Sequence, residues 1–231
     1  MNPPHPHNPQ WLLWQLIDSS LPVGGFAHSG GLEAAVQLGE VQFGEGGALG
    51  VEGFVAVHLR QYARSSAPFA MRAFDQPSEY CAIDRIYDAF LTSGVANRAS
   101  RAQGQALIAV AAEVWPGERV AEARQAVREG TAFGHWAVYF GLVARELGLT
   151  RIETAAALLY IQTRGILSAA VRLNVIGPLE SQRIQIRLGT SQAELVETAV
   201  RTAMDDAAQT APIMDLIQSQ HDRLYSRLFV S

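Results

Sequence analysis

"RIQIRL", Arg183 to Leu188, is the one stretch of this 231-residue chain in which apolar and polar residues alternate with the period of a β-strand. It is short, no second alternating run exists to pair with it, and it ends at Gly189, so it reads as helix. With that reading the whole chain becomes helical. Upstream, "TRIE" (Thr150 to Glu153) has the form of a capping box, a hydroxyl and a carboxylate three residues apart that satisfy reciprocal backbone donors. It opens an alanine- and leucine-rich run to Leu173, and "SQAE" (Ser191 to Glu194) repeats the device downstream.

Further helical runs fall near 78–93, 98–115 and 119–129, separated by Gly94, the Pro116-Gly117 pair and Gly130. At the other end of the chain Asn8 and Pro9 read as N-cap and first helical residue, followed by a broad apolar face of Trp11, Leu12, Leu13, Trp14 and Leu16. "GLEAAVQLG" predicts a short helix stopped by Gly39, and a "GEGG" linker leads to a longer one from Val51 to Arg64. The expected fold is all-α, a single-domain bundle of about ten helices over residues 9–220. Residues 1–8 read as a flexible N-terminal tail and 221–231 as a C-terminal docking tail, both loosely held.

Composition narrows the chemistry. At 48% hydrophobic and 17% charged the chain can bury a core. The single cysteine, Cys81, excludes an intrachain disulfide and a multi-cysteine metal site, which fits a reducing, cytoplasmic setting. No leader pattern and no run of about 18 uninterrupted apolar residues suggests secretion or a membrane span. All 18 basic residues are arginine, so Schiff-base chemistry and the phosphate-loop lysine are out of reach. With a net charge of −4 and no basic stripe, nucleic acid is not an expected partner.

"SSLPVGGFAHSGGLEAA" (Ser19 to Ala35) is a shaped loop, in which Gly24, Gly25, Gly30 and Gly31 can take positive φ or admit a close backbone. "GFAHSG" has the outer glycine spacing of a phosphate loop, but Gly31 and Leu32 stand where lysine and a hydroxyl are needed. "AHSGG" resembles a degenerate nucleophile elbow with Ser29 as nucleophile; an elbow follows a buried strand, whereas a helix is expected here. A hydrolase therefore remains only the runner-up, to be separated by the element that precedes Gly24. His5 and His7 lie on the N-terminal tail, and His28, His58, His135 and His221 are scattered without the i, i+4 spacing of a helical metal site, so no metal ligands are assigned. In "NRASRAQGQA", Arg98, Arg101 and Gln105 share a helix face, solvated or partner-binding, with Asn97 as its cap. "HDRLYSRLFVS" (His221 to Ser231) mixes arginine with aromatics as interface anchors do.

Six stretches in order, "LPVGGFAHSGGLEAA", "NRASRAQGQALI", "HWAVYFGLVARELGL", "SAAVRLNVIGP" with Gln182, Ala211-Pro212 and "YSRLFVS", make the chain resemble the urease accessory protein UreF family. Val230 and the His221-Asp222 pair depart mildly from its usual pattern. The resemblance implies an all-α, homodimeric, cytoplasmic scaffold with no catalytic residues and no tightly bound cofactor. It would bridge UreD (also called UreH) and the GTPase UreG, so that nickel, in transit, reaches the urease apoprotein. The partner-binding or interface residues implied are Gly24, Gly25, His28, Ser29, Glu33, Asn97, Arg101, Arg172, His221, Arg223, Tyr225, Arg227 and Phe229.

Overall fold

The computed structural model describes residues 8–43 and 46–231; His5, His7 and the first two residues of the "GEGG" linker lie outside the described residues. Among those described, the regular structure is helical throughout, with no strand. In order it runs α1 (Pro9–Ile17), α2 (Leu32–Gln37), α3 (Gly47–Arg64), α4 (Ala67–Asp75), α5 (Tyr80–Phe90) and α6 (Gly94–Val114). Then come α7 (Glu118–Arg128), α8 (Trp136–Glu146), α9 (Arg151–Arg172), α10 (Pro178–Gly189), α11 (Gln192–Arg201) and α12 (Pro212–Ser219). "RIQIRL" lies within α10, as read, and the capping box at Thr150 and Glu153 is formed.

The core is built around α8, in which every residue from Trp136 to Ala144 is buried. It packs against α4, a helix the sequence reading leaves out. Seven of the nine α4 residues are buried. The two helices touch through backbone: a Cβ on Gly141 would lie 2.0 Å from the Ala70 carbonyl oxygen, which only glycine allows. α9 is long and apolar enough to cross a membrane by length and composition alone, but over half of that stretch is buried in this core.

The start of α8 is held from a distance. Asp84 of α5, fully buried, accepts the backbone N–H groups of Phe133 at 2.6 Å, Gly134 at 3.0 Å and His135 at 2.9 Å. Ser100 Oγ takes the Trp136 N–H at 3.1 Å, and Gly104 leaves room for the same turn, since a Cβ there would meet the Gly134 oxygen at 2.2 Å. Acceptors for the N–H groups that lead into and open this helix are thus supplied by two other helices. The His135 ring sits between Ser100 Oγ at 3.1 Å and Asp88 Oδ1 at 3.0 Å, a hydrogen-bonded core histidine.

Three local expectations are corrected. Ser191 is no capping residue: only Thr190 and Ser191 separate α10 from α11, the Ser191 backbone stays helical, and its hydroxyl donates back to the Leu188 carbonyl. Asn97 does not cap α6; Ser93 does, and the Asn97 amide donates to the Asp88 carboxylate at 2.9 Å. The broad apolar face of α1 is split. Leu12 and Leu16 enter the core, while Trp11 (65% exposed) and Trp14 (51%) stay outside, edge to face at 5.7 Å.

Candidate functional site

The glycine loop leaves α1 at Asp18, turns through Gly24 at φ +73° and Gly30 at +62°, and enters α2 from Gly31 at +87°. Those three occupy the left-handed region where a side chain is strained. Gly25 does not: it begins a short 3-10 turn, and a Cβ there would meet only Gln103 Oε1, at 3.7 Å. The expectation of special geometry therefore holds for Gly24, Gly30 and Gly31 and is corrected for Gly25.

The segment His221–Ser231 is fastened to this loop, which corrects the reading of it as loosely held. Glu33, 2% exposed in the first turn of α2, accepts the Leu228 N–H at 2.6 Å, the Phe229 N–H at 3.2 Å and His221 Nε2 at 3.0 Å. The Ser29 N–H donates to the Ser231 main-chain oxygen at 2.7 Å, and Val230 N–H to the Ala27 carbonyl at 2.8 Å. His28 Nδ1 lies 2.7 Å from Ser231 Oγ. Arg172 of α9 donates to the Phe26 carbonyl and lays its guanidinium 4.3 Å from the Phe229 ring centre. Phe229 and His221 are consequently buried within the chain itself. Tyr225, by contrast, is fully exposed, and Leu228 and Val230 also face solvent.

The arginines expected to bind partners divide in the same way. Arg101 stacks 4.4 Å from the Phe133 ring and approaches Asp88, and Arg98 pairs with Asp222 at 2.5 Å, so the α6 face grips this protein's own segment. Arg223 and Arg227 remain exposed, the latter 3.9 Å from Asp222. Gly24, Gly25, His28, Ser29, Glu33, Arg172, His221 and Phe229 are brought together; Asn97 and Arg101 sit apart, at the start of α8.

No elbow is present. A helix and a turn precede Gly24, and Ser29 Oγ is fully buried and donates to the Ser231 main-chain oxygen at 3.0 Å, so it is spent on structure. Among the described residues no three His, Cys, Asp or Glu side chains gather as a metal ion would require. What does lie beneath the loop is a cavity of about 410 Å³ between α3, α6, α9 and α12, lined by groups the sequence reading did not connect, including Tyr62, Trp136 and Gln209. Glu33 offered a signal, as the one acidic residue in an otherwise apolar helix start; these three offered none.

Burial holds His28 and His58 below the ordinary histidine pKa of 6.5; a second cause for His28 is the nearby His221, while the Gln162 contact opposes the shift at His58. Burial lowers His135 as well, against the pull of Asp84 and Asp88. As pH falls below about 6.5 the unfolded chain takes up protons that the folded one refuses, so stability falls with pH there and is flat above. The urea unfolding midpoint is expected to drop between about pH 7.5 and pH 5.5; an unchanged or rising midpoint would contradict this burial.

Fold and site together define an all-α protein whose glycine loop and closing segment form one clasped surface over a cavity with a mainly apolar wall. A family model described as UreF matches residues 47–189, α3 through α10. The urease accessory protein F of Arabidopsis thaliana is 37% identical over 227 residues, covering 96% of this chain and 92% of its own. That of Oryza sativa subsp. indica is 35% identical over 223 residues (95% and 84%), and the urease accessory protein UreF of Arthrobacter sp. (strain FB24) 32% over 222 residues (96% and 97%). The chain belongs to the UreF family of urease accessory proteins.

Proposed function

We propose that this protein serves urease maturation as a non-catalytic, homodimeric cytoplasmic scaffold that bridges UreD (UreH) and the GTPase UreG while nickel is inserted into the urease apoprotein. Nickel is cargo in this reading, not a resident ion. The observation that carries it is the clasp: Glu33 fixes the backbone of Leu228 and Phe229, while Tyr225, Leu228 and Val230, like Phe26 of the glycine loop, face water. Apolar side chains on a fixed backbone make a preorganised docking surface, and UreD is the partner proposed for it.

The test is co-purification with UreD and UreG from the same organism, expecting a stable ternary complex. Tyr225→Ala should leave the melting temperature unchanged, because the ring touches solvent only, yet weaken UreD capture by about 2 kcal/mol, roughly thirtyfold. UreD binding that is indifferent to Tyr225→Ala and Leu228→Ala together would remove this surface from the interface. Deleting residues 221–231 is a poorer test, since it also strips Phe229 and His221 from the fold.

A further inference from the structure

Three side chains that the scaffold reading does not use stand in line beside the cavity. His135, fully buried, has Ser100 Oγ 3.1 Å from its Nδ1 and Asp88 Oδ1 3.0 Å from its Nε2. An ionised carboxylate can only accept, so it fixes the imidazole proton on Nε2 and leaves the Nδ1 lone pair to the Ser100 hydroxyl. Asp88 is itself held, by the Asn97 amide at 2.9 Å and by Arg101, whose guanidinium approaches to 3.9 Å. The Trp136 N–H, at the start of α8, donates to Ser100 Oγ at 3.1 Å. A helix N-terminus favours negative charge, so this contact eases loss of the hydroxyl proton. A hydroxyl, a base within hydrogen-bond reach and a third group that orients the base are the parts of an activated nucleophile.

Of the three, only the nucleophile faces open space. Ser100 is partly exposed and lies on the cavity lining, which His135 and Asp88 do not reach. The cavity opens to solvent at the glycine loop, where the exposed Asp18, Ser19 and Phe26 belong to the same lining. Its volume of about 410 Å³ suits a small molecule, and Leu16, Leu91, Ile161 and Met214 give it an apolar wall. Arg164, the one arginine on the lining, already donates to the Ile17 carbonyl, so an uncharged molecule fits better than an anion. The lining amides of Gln61 and Gln103 donate to Asp215 Oδ1 at 3.2 Å and to the Ala99 carbonyl at 3.3 Å. Neither is held ready for the oxyanion that each step of acyl transfer must stabilise, so the chemistry is expected to end at one acyl group per chain and not to turn over.

We propose that Ser100 is a reactive serine that accepts an acyl group from a small uncharged activated ester. Ser100 Oγ adds to the ester carbonyl carbon while its hydroxyl proton passes to His135 Nδ1. The tetrahedral intermediate then breaks its bond to the leaving oxygen, which takes that proton back from His135, and an O-acyl serine remains. No oxidant or reductant is involved. The inference goes beyond the scaffold reading and does not depend on it.

The probe is p-nitrophenyl acetate, incubated with the full chain and read by intact mass and peptide mapping. The chain has no lysine to acylate, and Cys81→Ala removes its one thiol from the background. One acetyl group should accumulate on Ser100, and none at that position in Ser100→Ala. The rate should rise with pH to an inflection below 6.5, because burial holds His135 below that ordinary value, aided by Arg101 and opposed by Asp84 and Asp88. Asp88→Asn tests the positioning residue: it should slow acylation roughly tenfold or more and move the inflection to lower pH, since the lost carboxylate no longer favours the imidazolium. It also serves as the second variant if Ser100→Ala, which orphans the Trp136 N–H, does not fold. Acetyl groups found elsewhere with Ser100 unmodified, a rate without the inflection, or an Asp88→Asn protein that matches the parent in both rate and inflection would mean that the three residues only brace α5, α6 and α8, and would overturn the proposal.

Discussion

Asp84→Ala is expected to destabilise the protein by roughly 3–5 kcal/mol, although the residue touches no surface that a partner could reach. Among the described residues its carboxylate is the only acceptor for three consecutive backbone N–H groups at the buried start of α8, and each such donor left unpaired costs about 1–3 kcal/mol. Some of that cost is recovered, because the variant no longer buries a carboxylate, so the net falls below the simple sum. For a chain of this length the loss corresponds to a melting temperature lower by about 6–20 °C. Asp84→Asn keeps one acceptor oxygen and should fall between. Urea unfolding of both variants is the measurement. A loss under about 1 kcal/mol for Asp84→Ala would show that α8 does not depend on this remote cap.

Glu33→Ala should act locally instead. It orphans the Leu228 and Phe229 N–H groups and His221 Nε2, but the segment that carries them can peel away into water and satisfy them there. The expected signature is amide exchange from residue 226 onward faster by about a hundredfold, equivalent to roughly 3 kcal/mol of lost local protection, while α6 and α8 exchange as before. Glu33→Gln should retain part of the protection through its remaining oxygen. On the scaffold reading, UreD capture falls with it, since Tyr225 and Leu228 lose their fixed backbone and must be ordered on binding. If exchange in the segment is unchanged, the clasp rests on Arg172 and the Ser29–Ser231 contacts and not on Glu33.

The sequence by itself determined what depends on neighbours a few residues away. The helical reading of "RIQIRL", the Asn8-Pro9 start, the capping box at Thr150 and the stop at Gly39 all involve groups within about one turn of each other, and their spacing is written in the chain. Even there, two adjacent helices were enough to redirect Ser191 away from its expected cap. Composition showed that His221–Ser231 carries side chains that need burial, but not which surface would bury them. That was decided by tertiary structure: Glu33 stands 188 residues from His221, and it takes Phe229 inward while Tyr225 is left in water. Asp84 and His135, 51 residues apart, belong to the same class. A hydrogen bond across such a separation leaves no period or spacing in the sequence. It exists only because packing α4 and α6 against α8, and the closing segment against the glycine loop, excludes water and makes an unpaired polar group costly.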